Sequence, residues 1–392
     1  MKQFTIIFFS AIALSLNSFS QNSIETTLLE IEKNNTSLSA LRKSAEAEKL
    51  GNKTGIYLQN PELEFHYLWS TPSVTGNRTD VTIKQSFDFP TAYRYNNQIS
   101  DIKNLQVEFE YQKQLRTLLL QARLVCIELV YKNALKSELS QRLHHSQIIA
   151  KSYKSKLDHG EANILDYNKA QLNLLNIGKE LESLELERDV LLSELIRFNG
   201  GVDIDFVDSV FQTPEIPIDF EQWYLLAEQK NPVLNWLLQE IEKGQKQEKF
   251  NRAMSFPKLQ AGYMSESVIG EQFQGLVVGL SIPLWENKNT VKYAKANAIA
   301  YESISNDNRI QLYNRLKALH TKAIGLQISV KDYRLNLNSF NHSNLLKKAF
   351  DKGEITLINY ILEQSIYYES VDKLLMLERD LSKTLAELNQ YM

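Results

Sequence analysis

The chain is poor in the residues that break helices or cross-link folds. It holds 8 prolines and 14 glycines in 392 residues, below the usual share of each, which favours long uninterrupted helices. A single cysteine, Cys126, excludes an intramolecular disulfide, a CxxC redox pair and a cysteine-rich zinc site. It sits mid-chain in the apolar phase of a helical pattern, so it is not a lipid-anchor cysteine. Charge of one sign is also missing. The 44 basic and 47 acidic residues leave a net charge of −3, so no net field draws the chain to nucleic acid. Mean hydropathy of −0.32 excludes a bundle of membrane-spanning helices, and even Leu115 to Ala134 carries Arg116, Arg123, Glu128 and Lys132. No GxSxG, P-loop, GxGxxG, HExxH or EF-hand spacing occurs. His144 and His145 are adjacent, so on a helix they point roughly 100° apart and chelate poorly. The expectation is a protein without catalysis, cofactor or metal site.

What is present begins with an address. Met1-Lys2 gives a short positive start, Phe4 to Leu16 is apolar apart from Ser and Thr, and Ser18-Phe19-Ser20 places small residues before Gln21. That order predicts a cleaved secretory signal over 1–20, with the mature chain outside the cytoplasm.

The rest of the chain says one thing twice. Asn35-Thr36-Ser37-Leu38 matches Asn231-Pro232-Val233-Leu234 at an offset of 196, which also pairs Pro61 with Pro257, Leu63 with Leu259 and Tyr67 with Tyr263. Phe89-Pro90 then matches Ile282-Pro283, Gly160-Glu161 matches Gly353-Glu354, and Tyr167 matches Tyr360, all at 193. A short deletion in the second hairpin accounts for the change of offset. The predicted organisation is a first repeat over 21–205, a linker over 206–219 and a second repeat over 220–392.

Within each repeat the proline-free stretches are helical. Leu115, Leu118, Ala122, Cys126 and Leu129 recur at three- and four-residue steps, as do Leu374, Leu377, Leu381, Leu385 and Leu388. The spacing predicts helices over 91–157, 162–199, 286–350 and 355–390, divided by Gly-Glu turns at 158–161 and 351–354. A helix of some 65 residues reaches about 100 Å, a length a solitary globule does not use. Strand pairs at 61–89 and 257–283 precede them. Leu63, Phe65, Tyr67 and Trp69 alternate with polar residues, and so do Val81, Ile83, Phe87 and Phe89. Leu259, Ala261 and Tyr263 follow the same pattern, a connector is expected near Glu266–Glu271, and Leu276, Val278, Leu280 and Ile282 then form the last apolar row. Two readings fit: a transmembrane sheet, or an amphipathic hairpin capping a soluble bundle. Four strands cannot close a barrel, and lipid tolerates no open edge. Two chains would give eight strands and a filled interior; three would give twelve and room for a lumen.

This arrangement resembles the TolC family of outer-membrane efflux proteins. The residues that carry the likeness are Asn60-Pro61-Glu62-Leu63, Gln85 to Pro90, and Leu157 to Tyr167, with second-copy partners Phe256 to Leu259, Ser281 to Leu284 and Phe350 to Tyr360. The first two elements look most like the heavy-metal, CzcC/CusC-like branch. The resemblance implies a mainly α fold with a small β part. A long α-helical coiled-coil barrel would join four strands per chain contributing to a trimeric 12-stranded transmembrane β-barrel. It implies a homotrimer in outer-membrane lipid with a periplasmic helical extension, acting as the passive exit duct of a tripartite efflux system for metal cations or drugs. Gly160, Glu161, Gly353 and Glu354 would form the tip that docks a periplasmic adaptor, and through it an inner-membrane pump. In well-studied members, acids after the second turn glycine ring the lumen. Here the matching positions are Asn359 and Leu362, while Asp166 keeps an acid in the first copy and Glu363 is the nearest in the second. Asp166, Tyr167, Asn359, Tyr360 and Glu363 are therefore the candidate gate, the tyrosines either lining it or packing between helices. The same fold serves type I protein secretion, and a periplasmic coiled-coil protein without a pore is the alternative of another class.

Overall fold

A computed structural model describes residues 24–71, 76–212, 215–340 and 342–392. The signal expected over 1–20 lies outside the described residues. The elements are α1 (Ile24–Asn34), α2 (Thr36–Gly51), β1 (Glu62–Leu68), β2 (Arg78–Phe87), α3 (Pro90–Asp158) and α4 (Ile164–Phe198). There follow α5 (Phe220–Lys230), α6 (Pro232–Ala253), β3 (Lys258–Val268), β4 (Glu271–Ser281), α7 (Thr290–Ser339), α8 (Ser343–Asp351) and α9 (Leu357–Leu388). The order helix, helix, strand, strand, long helix, helix thus runs twice. Among the described residues no helix is long and apolar enough to cross a membrane.

The matched positions start the same elements. Asn35 caps α2, its side-chain oxygen accepting from the Leu38 N–H at 2.8 Å. Asn231 caps α6, accepting from Val233 at 2.8 Å and Leu234 at 3.2 Å. Both asparagines are buried, so each satisfies donors at a helix start that water does not reach. Pro90 opens the 69 residues of α3, at the one helical site where a missing N–H costs nothing.

Three boundaries differ from the sequence reading. The helix expected over 286–350 begins at Thr290 and is divided into α7 and α8. The division falls in a run rich in Asn, Ser and His (Asn336, Asn338, Ser339, His342, Ser343), whose side chains compete for backbone groups; the cap residue His342 makes no side-chain cap bond. The connector expected near Glu266–Glu271 shrinks to Ile269 and Gly270, because β3 continues to Val268. Glu266 belongs to the ladder, held by Arg78 at 3.0 Å. Gly270 takes φ +78°, the backbone that so tight a hairpin demands.

By contacts the chain divides into two units. The first gathers α1, Ala122–Gln212 and Tyr333–Arg379. Ile31, Cys126, Leu129, Leu195 and Phe206 are fully buried in it, and burial pushes the Cys126 thiol up to about 12, leaving it inert. The second holds Asn35–Gln121, Thr213–Asp332 and Asp380–Met392, hence the whole sheet. There Phe220 packs beside Tyr224, Tyr313 and His320. His320 Nε2 lies 2.8 Å from the Pro217 carbonyl oxygen, which only accepts, so that nitrogen carries the proton.

Helices α6 and α7 meet at Gly244, where an added Cβ would stand 2.9 Å from Ala298 Cβ and 3.2 Å from its Cα. Gly244→Val is expected to cost about 1–3 kcal/mol by overpacking, read as a lowered midpoint in guanidinium unfolding followed by far-ultraviolet dichroism.

Candidate functional site

The sheet is antiparallel throughout in the order β1-β2-β3-β4. Register decides its chemistry, because alternate residues face opposite sides. One row aligns Leu63, Ile83, Tyr263 and Leu276; neighbouring rows align Ala261 with Val278, and Phe87 with Leu259 and Leu280. This face is open to the surroundings: Leu63 is 70% exposed, Val278 83% and Leu276 87%. The other face aligns Glu64 with Thr82 and Met264, and His66 with Asp80 and Glu266. Its charges are paired with one another. Lys84 bridges Glu64 and also reaches Glu62 at 3.5 Å, and Arg78 bridges Asp80 at 2.8 Å and Glu266 at 3.0 Å. An apolar exposed face backed by an ion-paired polar one is the pattern of a sheet between lipid and water. Its outer strands, β1 and β4, are each paired along one edge only among the described residues.

Rings mark both ends of the apolar face. Trp69 is 77% exposed beside the first hairpin loop, and Trp285 is 80% exposed just beyond β4. Phe89 stacks against Phe256 at 4.7 Å, where β2 leaves and β3 enters.

The two Gly-Glu turns are built alike. After α3 the Gly160 N–H donates to Leu157 O at 3.0 Å and the Glu161 N–H to Lys156 O at 2.8 Å. After α8 the Gly353 N–H donates to Phe350 O and the Glu354 N–H to Ala349 O, both at 2.9 Å. Each is a Schellman motif, which needs a left-handed residue at the glycine; φ is +76° at Gly160 and +73° at Gly353. The next helix is then capped by Asn163, accepting from Asp166 at 2.8 Å, or by Thr356, accepting from Asn359 at 3.3 Å. Glu161 and Glu354 are exposed at both turns.

The residues proposed from sequence for a gate do not share one environment. Asp166 is half-buried and engaged by Asn163 at 2.9 Å and Lys169 at 3.3 Å. Tyr167 is half-buried with Lys154 above its ring. Asn359, Leu362 and Glu363 are exposed. Tyr360 is 5% exposed and belongs to a cluster with Ile149, Ala150, Ala170 and Leu357. Its ring stacks on Phe350 at 4.5 Å and its hydroxyl accepts from Gln364 at 2.7 Å. Burial, with Asp351 adding to it, raises the Tyr360 pKa, so the phenol stays neutral. In the single chain Tyr360 fastens the turn to α3 and α4. Among the described residues no group of three His, Cys, Asp or Glu side chains is placed to hold a metal ion.

One contact had no signal in the sequence. Arg142 of α3, 5% exposed, forms a two-pronged bridge to Asp372 of α9 at 2.5 and 2.9 Å. It also donates to Tyr368 O at 3.3 Å and lies 4.5 Å from the Tyr368 ring centroid. The partners are 230 residues apart, and neither lies in a recognisable motif.

No family model and no curated protein matches the sequence. Solved structures do match. The Campylobacter jejuni CmeC outer membrane channel is 14% identical and superposes with a TM-score of 0.74 over 94% of this chain and 85% of its own. CusC is 15% identical with a TM-score of 0.76, over 94% and 92%. The Neisseria gonorrhoeae MtrE channel in its open state is 11% identical with a TM-score of 0.70, over 94% and 88%. The chain therefore has the TolC-type fold of these outer-membrane channels, mainly α with a small β part. Scores of 0.76 for CusC and 0.74 for CmeC do not single out a heavy-metal branch.

Removing one partner of the Arg142–Asp372 pair strands a charge in a mostly buried place, which costs about 3–5 kcal/mol. Asp372→Ala should lower the thermal midpoint markedly, and Arg142→Met combined with Asp372→Leu should restore most of the loss. Melting of the helical dichroism at 222 nm reads both.

Proposed function

We propose that this chain is the outer-membrane exit duct of a tripartite efflux system. Three copies would close a twelve-stranded barrel around a water-filled lumen. The observation that carries the reading is the two-faced sheet with unpaired outer strands. Its apolar face suits hydrocarbon, its ion-paired face suits water, and its edges demand further copies. Strands β3 and β4 each have 11 residues, which at the usual tilt spans the roughly 25 Å apolar band of such barrels. Every helix joined to the sheet meets the same end of it, so these helices would leave it on one side of the membrane. By its resemblance to the TolC family that side is the periplasm.

The two structural repeats, 21–205 and 220–392, would each supply one hairpin and one tip turn. Gly160-Glu161 and Gly353-Glu354, exposed and rigidly shaped, would dock a periplasmic adaptor and through it an inner-membrane pump. The pump would select the cargo, metal cations or drugs, and supply the energy. Asp166, Tyr167, Asn359 and Glu363 would narrow the tip, with Tyr360 holding the turn in shape behind them. A periplasmic coiled-coil protein without a pore has no use for an exposed face of Leu63, Ile83, Leu276 and Val278.

Fractionation of expressing Gram-negative cells and mass determination of the detergent-extracted species test the assembly. Three times the mature mass in the outer membrane is expected; a soluble species of another stoichiometry would refute the duct. Val278→Arg should impair insertion by about 2–4 kcal/mol if the residue lies near the bilayer midplane, and insertion equal to wild type would exclude this lipid face. Glu161→Arg together with Glu354→Arg should abolish efflux and adaptor capture while leaving trimer mass and outer-membrane level unchanged.

A further inference from the structure

The two repeats leave their hairpins differently. Only Asp88 and Phe89 separate β2 from α3, whereas residues 282–289 intervene between β4 and α7. This strap is not loose. The Lys288 N–H donates to Trp285 O at 3.2 Å and the Thr290 N–H to Asn287 O at 3.3 Å. Asn287 Nδ2 donates to Met254 O at 2.6 Å, and Asn251 Nδ2 to Thr290 O at 2.9 Å. Asn289 is the only non-glycine among the described residues at positive φ, +66°. A pinned and strained segment that nevertheless displays Leu284 at 68% exposure and Trp285 at 80% holds those side chains outward for something beyond the chain.

Two features say what. The strap prolongs the apolar face of β4, since Val278, Leu280 and Ile282 alternate in one series and are all exposed. Beyond Trp285 come Lys288, Lys292 and Lys295, all exposed; Lys292 and Lys295 share one side of the first turns of α7, and Lys288 lies in the strap just before it. None of the three forms an ion pair among the described residues. The one acid of the strap, Glu286, is approached by Lys258 at 3.5 Å. An apolar band, a tryptophan at its margin and then a row of free cations is the sequence of environments across a membrane boundary carrying anionic headgroups.

We propose that the strap 282–289 and the first turns of α7 form a binding site for anionic phospholipid, with Trp285 at the headgroup level and Lys288, Lys292 and Lys295 on the phosphates. The site rests on the reading of the sheet as membrane-embedded. Because the helices share its end of the sheet, its lipid is that of the leaflet facing them. The second repeat alone would carry it, since the two-residue link at Asp88 and Phe89 leaves no room for an equivalent.

The test uses the full-length protein reconstituted in vesicles of phosphatidylcholine with brominated chains. Tryptophan quenching is compared among wild type, Trp285→Phe and Trp69→Phe, so that the signals of Trp285 and Trp69 are obtained by difference. Unbrominated phosphatidylglycerol then competes for the Trp285 site against unbrominated phosphatidylcholine. With an exposed lysine near an anionic surface worth about a fivefold preference, phosphatidylglycerol is expected to relieve quenching at least about fivefold more effectively. Lys288→Gln, Lys292→Gln and Lys295→Gln combined should bring the ratio to near one while quenching by brominated phosphatidylcholine and the assembled mass stay unchanged. A ratio near one in wild type, or an unchanged ratio in the triple variant, overturns the proposal. Quenching of Trp69 without quenching of Trp285 overturns it too, the strap then being covered by another copy, and leaves the membrane sheet standing. Quenching of neither removes the sheet from lipid, and both readings fall.

Discussion

The constraint behind everything else is the unmet hydrogen bonding of β1 and β4. A strand at a sheet edge carries a row of N–H and C=O groups that must be satisfied, and in hydrocarbon each orphan costs several kcal/mol. The apolar face of Leu63, Ile83, Tyr263 and Leu276 is suited to lipid, and the edges forbid a lone chain from putting it there. On the proposed reading, assembly would be a condition for insertion, not a later refinement. It would also assign the polar face. In a closed ring, Lys84 with Glu62 and Glu64, and Arg78 with Asp80 and Glu266, would line the enclosed side. Their pairing within one chain spares the interior a row of isolated charges.

After α3 and α8 the chain solves a different backbone problem, reversing direction twice without stranding carbonyls. Both turns use the same Schellman hydrogen bonds and the same left-handed glycine. Part of the local charge is paired: Asp166 is held by Asn163 and Lys169, and Tyr360 lies in an apolar cluster with Phe350 stacked on it. On the proposed reading, the exposed Asn359 and Leu362 at the matching positions would let the tip close by polar and apolar contact.

Much of this was legible from residue order, for a physical reason. Capping residues and turn glycines act on their immediate neighbours, so Asn35 and Asn231, or Gly160 and Gly353, announce elements by themselves. Strand alternation is equally local, and it marks Leu63, Ile83, Tyr263 and Leu276 as apolar-face residues without their register. What was missed depends on more distant partners or on competition. The connector read near Glu266–Glu271 takes in residues of β3 because the pairing of Glu266 with Arg78 is invisible in sequence. The helix expected from residue 286 overran the strap, since Trp285 to Asn289 contains no proline or glycine to stop it. Arg142 and Asp372 find each other only through the packing of α3 against α9.

The comparison of the two repeats separates what the fold must keep from what it can vary. Positions that satisfy backbone groups recur: Asn35 with Asn231, Asn163 with Thr356, Gly160 with Gly353. Side-chain bridges recur only in part: Lys154–Asp158 returns as Lys347–Asp351 beside the turns, but the buried one does not. At the offset of 193 that relates the tips, Arg142 falls on Leu335 and Asp372 on Lys179, so the buried bridge has no twin. An orphaned backbone donor is costly whatever surrounds it, whereas a salt bridge can be replaced by an apolar contact at little cost. Two copies of one motif are thus free to diverge in their surfaces while the backbone stays fixed. On the proposed reading, a ring of six hairpins need not be sixfold; alternate hairpins would meet the membrane boundary differently, as the strap before α7 and its three lysines suggest.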